Sequence, residues 1–272
     1  KVNGFNSFMG SRHLNETRRQ EGKSAQKLAS GKRITTASDD AAGLGISNKL
    51  VAKSRSKGAA IRNTNDAISI VQTTEGSLQD FGSLVNRVRE LTIQSASDTV
   101  TNQERQMMQM EVTQSLLEIN RLASAQEIFG QKLMVGNTKK LDIQVDVGGG
   151  KKDQIQIDLG NLSHTTMALG INNLSISSQR HARNSLVKLD FAQNEISKSV
   201  ARMGAISSRF ASTVNKLQGD VVNTKQANSR VMDTDYASET ANNTKNKIKQ
   251  DGQTAVIAQS SNGFKNALKL ID

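Results

Sequence analysis

Three histidines, a triglycine-lysine run and a pair of aspartates are the residues of this 272-residue chain whose types could do chemistry. His13, His164 and His181 could ligate a metal or move a proton, but no carboxylate or thiol stands at ligand spacing to them, and the chain has no cysteine. They read as surface histidines. Gly148 to Gly150 followed by Lys151 could cradle a phosphate, yet the closing Gly-Lys-Ser/Thr order is missing and no helix opens after the run. Asp39 and Asp40 could share acid and base roles; being adjacent, they read instead as first-turn charges of a helix. No catalytic residue, cofactor site or metal site is expected, and the chain reads as a non-enzyme.

The elements around these residues are dominated by long helices. From Ala60, alternating steps of four and three give Thr64, Ala67, Val71, Thr74, Leu78, Phe81, Val85, Val88 and Thr92, without one charge. A repeat of seven keeps such a stripe in register with a partner helix over a long distance, as a coiled coil requires. A second charge-free seam runs through Ala182, Leu186, Leu189, Gln193, Ile196, Val200, Met203, Ser207, Phe210, Val214, Leu217 and Val221, and can pair with the first. Aromatics are 3% of the chain and proline is absent, so thin helical packing with few helix breaks is expected.

In chain order, a weakly amphipathic helix from about Phe8 to Ser30 steps through Leu14, Arg18, Glu21, Ala25 and Leu28, with two charges in the seam, and ends at Gly31 as a C-terminal cap. After the connector, Ser38 or Asp39 offers the N-cap of the seam helix, which should reach about Ser95. Thr101 or Asn102 can cap the next helix, with Glu104 in its first turn and Met108, Val112, Ser115, Ile119 and Leu122 in its seam. The short turn between these helices implies an antiparallel pair.

From about Glu127 the pattern becomes a loop and then alternates. Leu141, Ile143, Val145 and Val147, then the glycines, then Ile155, Ile157 and Leu159 predict a β-hairpin. Residues 160–178 read as loop, with serines and threonines of 163–178 as candidate glycan acceptors on an outer surface. A last helix carries Ile257, Ser261, Phe264, Leu268 and Ile271. The expected organisation is an N-terminal core helix and connector over 1–38, rod helices over 39–138, the hairpin and loop region over 139–178, a C-terminal rod helix over 179–232 and a C-terminal core helix over 233–272.

The formal charge of +11 would favour anionic partners, but the bases are spaced along helices without interleaved aromatics, so basic solvated faces are expected rather than nucleic-acid binding. No apolar run approaches the roughly 18 to 20 residues that span a bilayer. The first residues lack a signal-peptide apolar core, so membrane insertion is not expected and secretion would need another route.

KLASGKRITTASDDAAGLGISNKL at 27–50, RNTNDAISIVQTTEGSLQD at 62–80, NRVRELTIQSAS at 86–97 and EINRLASAQEIFGQKLM at 118–134 resemble the N-terminal domain of bacterial flagellin. MGAISSRF at 203–210 and ANSRVMDTDYASET at 227–240 resemble its C-terminal domain. The resemblance implies a mainly α fold of long antiparallel heptad helices forming a rod with one β-hairpin, in which terminal coiled-coil helices form a filament core. Little or no outer variable domain separates the two halves.

It implies a secreted structural subunit of the flagellum, extracellular or sheathed. The subunit would polymerise with itself or related flagellins, leave through the type III export apparatus with a chaperone, and assemble under a cap. Val71, Leu78, Val85, Leu189, Met203 and Phe210 would be seam residues, and Leu28, Ile257, Phe264 and Leu268 core-helix residues. Arg87, Leu91 and Glu111 match the surface that a vertebrate toll-like flagellin receptor contacts on monomers. Arg87 and Leu91, four apart and off the main seam, read as free to bind, and the leading expectation for this face is packing against the neighbouring protofilament as a subunit interface, with the receptor meeting it only on monomers. Two alternatives share parts of the pattern: a hook-filament junction protein, and a soluble coiled-coil signalling module, which should lack the hairpin and the polar terminal helices. Compared with the family pattern, the terminal helices here are more polar and the chain is more basic.

Overall fold

The computed structural model describes residues 2–128, 131–132, 134, 140–158 and 164–268, with side chains described over 8–127, 134, 140–158 and 164–260. The fold is mainly α. Its elements are α1 (Val2–Ser30), α2 (Ala41–Ser95), α3 (Asn102–Ala125), the short strands β1 (Glu127–Ile128) and β2 (Gln131–Lys132), the hairpin strands β3 (Leu141–Gln144) and β4 (Gln154–Ile157) with a single 3-10 turn (Lys151–Asp153) after the glycines where no helix was expected, α4 (Gln179–Met232) and α5 (Tyr236–Leu268). The chain divides into two compact units, residues 55–221 and residues 1–54 with 222–272.

In the unit of residues 55–221, every seam position of α2 from Ala60 to Thr92 is buried. Buried Thr64, Thr74 and Thr92 donate their hydroxyls to the carbonyls of Ala60, Ile70 and Val88 at 2.7, 2.8 and 2.6 Å, so polar seam positions carry no unmet donor. On α4 the buried residues Ala182, Leu189, Ile196, Met203, Phe210 and Leu217 recur every seven. Two ion pairs fix direction: Lys57 of α2 meets Asp220 of α4, and Arg89 meets Asp190 at 3.0 Å, so the helices run antiparallel. Each fully buried Leu or Phe contributes about 1.5–3 kcal/mol relative to exposure, and a regular row of them explains why helices with modest propensity run so long.

The turn into α3 is a capping box. Glu104 N–H donates to the Thr101 hydroxyl at 3.3 Å, and Thr101 N–H donates to the Glu104 carboxylate at 2.8 Å, which holds that carboxyl below its usual pKa range. Buried Arg105 donates from Nη2 to the carbonyls of Ser97 and Val100 at 2.9 and 3.0 Å, holding the turn between α2 and α3.

β3 and β4 pair antiparallel, Leu141 opposite Ile157 and Ile143 opposite Ile155, and bury Val145, Ile155 and Ile157 in the helical core. The alternation stops before Val147, which is exposed: the strand ends at Gln144, and the Val145 and Asp146 amides both turn to the Asp153 carbonyl. Leu159 lies outside the described residues. A second two-stranded antiparallel ladder, β1 with β2, stands where a loop was expected.

The segment 164–178 departs most from expectation. It has no regular element, yet Leu169, Ile171, Leu174 and Ile176 are buried in the core. Side chains of the helices satisfy its backbone: Gln109 accepts from Ile176 N–H at 2.6 Å, Asn120 accepts from Thr166 N–H at 3.0 Å, and Ser95 donates to the Ile176 carbonyl at 2.6 Å. Thr166 is therefore buried and not an outer-surface acceptor, while Ser177 remains exposed. His164 is not a surface histidine either. It is 2% exposed and stacks on Phe81 with ring centroids 6.2 Å apart.

Candidate assembly interface

The other unit is built from the two ends of the chain. α1 and α5 pack antiparallel: Tyr236, at the start of α5, donates its hydroxyl to the Leu28 carbonyl at 2.9 Å, while a Cβ on Gly10 would stand 3.3 Å from Ile257 Cγ1. The seam of α1 runs Gly10, Leu14, Thr17, Glu21, Ser24 and Leu28, all buried or half-buried. Arg18 and Ala25, expected in that seam, are exposed. With only Leu14 and Leu28 as apolar markers, the sequence left the phase between them open, and packing against α5 selected the small residues Thr17 and Ser24.

Across from it, α5 presents Glu239, Asn243, Asn246, Gln250, Gln253 and Ile257, half-buried at the same four-three spacing. The Gln250 carboxamide lies between Glu21 and Arg18. The carboxamide oxygens of half-buried Asn243 and Gln253 point into this seam and meet no hydrogen-bond donor among the described residues. Apolar side chains of the same pair point outward: Phe8 is 61% exposed, Ile248 67% and Val256 66%. The seam between the two helices is thus largely polar, while several of their large apolar side chains stand outside it.

A connector anchors the pair. Gly31 takes φ 68°, the left-handed conformation that glycine adopts at low cost after a helix. Arg33 N–H then donates to the Met232 carbonyl at 2.6 Å, and Thr234 N–H to the Gly31 carbonyl at 3.1 Å. Asp40, not Ser38 or Asp39, caps α2, accepting from Gly43 N–H at 2.8 Å. The Asp39 carboxylate instead turns back and accepts from the amides and hydroxyls of Thr36 and Thr35, which hold it well below the usual carboxylate range. The reason is geometric: one aspartate can reach the third amide of the helix, leaving its neighbour to close the loop before it.

Val71, Leu78, Val85, Leu189, Met203 and Phe210 are fully buried. Leu28 and Ile257 are half-buried in the α1–α5 seam, and the side chains of Phe264 and Leu268 lie outside the described residues. Arg87 donates from Nε and Nη2 to Glu111 at 2.9 and 2.7 Å and bridges α2 to α3 on the surface, so its pKa is raised chiefly by that hydrogen bond. Leu91 is not free to bind. It is 4% exposed and belongs to the core, because α2 packs on two flanks and its second apolar stripe is covered.

Among the described residues no group of three or more potential ligands could hold a metal, and no helix is long and apolar enough to cross a membrane. One unit is a core of long antiparallel helices with buried heptad rows; the other pairs the first and last helices and leaves apolar side chains exposed on them.

Comparison with known proteins gives the family. The bacterial flagellin N-terminal helical region matches residues 6–139, and the bacterial flagellin C-terminal helical region matches 186–271. The flagellar filament 31.3 kDa core protein of Treponema maltophilum is 30% identical over 279 residues, 98% of each chain. The flagellar filament 30.7 kDa core protein of the same organism is 30% identical over 278 residues, again 98% of each. Among solved structures, a putative flagellar hook-associated protein from Vibrio parahaemolyticus superposes with a TM-score of 0.58 at 14% identity, over 72% of this chain and all of that one. Bacillus cereus flagellin superposes with a TM-score of 0.51 at 24% identity, over 57% of this chain and 88% of that one; these two likenesses concern the fold. The chain belongs to the bacterial flagellin family.

Proposed function

We propose that this chain is a structural subunit of the bacterial flagellar filament, exported from the cell and polymerised through its paired terminal helices to transmit rotation. The observation that carries the reading is the largely polar seam of α1 on α5, with Asn243 and Gln253 turned in and Phe8, Ile248 and Val256 turned out. Exposed apolar side chains on both terminal helices are what neighbouring subunits would cover in a polymer. The full-length similarity to filament core proteins supports the same reading over a hook-filament junction protein. A signalling rod should have lacked the hairpin and the polar terminal helices, and both are present.

The reading extends to the type III export apparatus, a chaperone and a distal cap as partners, and to a vertebrate toll-like receptor that takes the monomer at Arg87 and Glu111. Leu91 drops out of that surface because it is buried. Receptor activation by monomer should fall in Arg87→Ala and in Glu111→Ala; a wild-type monomer that is inert in the assay contradicts the receptor part alone. The filament reading is tested by electron microscopy of the purified chain under polymerising conditions. Tubes are expected, and dispersed rods at every concentration and salt would overturn it.

A further inference from the structure

The charge of this chain is concentrated where its subunit contacts are proposed to form. Residues 1–54 and 222–272 hold 17 Lys and Arg against 9 Asp and Glu, a net +8 of the chain's +11, in fewer than half of its residues. Arg12, Arg18, Arg19 and Lys23 on α1 and Lys245, Lys247 and Lys249 on α5 are all exposed. The acids of the same unit are largely occupied within it. Asp39 closes the connector and lies 3.9 Å from Lys23, Asp40 caps α2, and Asp235 accepts from the first amides of α5 at 2.9 and 3.2 Å. Glu16 lies 3.8 Å from Arg19, and Asp233 accepts from Ser229. Arg19 and Lys23 thus have an acid beside them, while the unit as a whole still carries eight more bases than acids.

Packing identical copies through this unit brings like charges together, against the attraction of exposed apolar side chains such as Phe8, Ile248 and Val256. We propose that the terminal-helix unit takes a partner of opposite charge: a second chain of the same fold whose terminal helices are acidic, so that the two subunits alternate or mix in one polymer. The inference rests on the filament reading. Charge complementarity selects the partner, and the occurrence of two related filament core proteins in Treponema maltophilum shows that one organism can hold more than one such chain.

The probe is a charge-inverted copy of this full chain, R12E/R18E/R19E/K23E/K245E/K247E/K249E, which turns the unit from +8 to −6. Sedimentation and electron microscopy are read for each chain alone and for the equimolar mixture, at about 0.03 M and about 1 M ionic strength, since screening length shortens to about 3 Å at 1 M. The expected result is at least tenfold more wild-type polymer at high salt than at low salt, and a mixture that polymerises at low salt where neither chain does alone. Wild-type polymer that is as abundant at low salt as at high salt overturns the proposal, and that arm does not depend on the variant folding. A mixture no better than its components, with helix content of the variant unchanged by circular dichroism, also overturns it. If polyglutamate restores wild-type polymer at low salt as well as the inverted copy does, neutralisation by any polyanion suffices and the same-fold partner is wrong. Polymer from neither chain in any condition removes the filament reading itself.

Discussion

Tyr236, the only tyrosine of the chain, donates its hydroxyl to the Leu28 carbonyl at 2.9 Å and ties the last turn of α1 to the first turn of α5. That carbonyl is one of the four that a helix end leaves unpaired, so the bond satisfies a group the backbone cannot. Tyr236→Phe should lower the stability of the terminal pair by about 0.5–1 kcal/mol, the low end for a net hydrogen bond because the ring is exposed. The check is the melting of far-ultraviolet helix signal together with the temperature at which polymer dissociates; both should fall. An unchanged dissociation temperature would mean that this tie is not part of the assembled state.

The heptad rows of α2 and α4 make a stronger prediction. Leu78→Ala and Phe210→Ala each remove a fully buried side chain and should cost on the order of 2–5 kcal/mol by denaturant titration. Phe191→Ala, at an exposed position of α4, should stay within about 0.5 kcal/mol. Equal effects at Phe210 and Phe191 would contradict the burial pattern.

These rows were legible because a strict repeat of seven without charges leaves one way to pair two helices. The capping box at Thr101 and Glu104 and the glycine stop at Gly31 were legible for the same reason: each is a local rule that needs no partner. The segment 164–178 was not. Leu169, Ile171, Leu174 and Ile176 are buried in the helical core while Gln109, Asn120 and Ser95, far away in sequence, hold the segment's backbone, so no periodicity announces them. The α1–α5 interface was half legible: its position at the two chain ends could be expected from the resemblance, but a seam of Thr, Ser, Asn and Gln carries no hydrophobic signal to set its phase.

Gly43 tests the connector. A Cβ there would stand 2.6 Å from Ile34 Cδ1 and closer still to the Asp40 carboxylate that caps α2. Gly43→Ala should therefore destabilise by about 1–3 kcal/mol, against the helix propensity that ordinarily favours alanine. A stabilised variant in thermal melts would show that the cap and Ile34 can give way at no cost.

Acid should loosen the loops that Asp39 and Glu104 close. Both carboxyls are held below their ordinary values of 3.8 and 4.5 by hydrogen bonds to threonine amides and hydroxyls. A depressed pKa in the folded state means the contribution is fully present above the ordinary value and is lost as pH falls through the folded one. Melting temperature should hold from pH 7 to about 5 and then decline toward pH 2, and Asp39→Asn should be less stable at pH 7 but decline less in acid. Parallel curves for wild type and variant would contradict this assignment.

The central claim is that the two chain ends carry assembly while residues 55–221 fold by their own core. Its most direct measurement is electron microscopy and thermal melting of chains lacking Lys1–Ser30 or Thr240–Asp272, beside the full chain. The account predicts that both truncations keep the cooperative melting of the α2–α4 core and form no filaments under conditions in which the full chain does. Normal tubes from either truncation would contradict it.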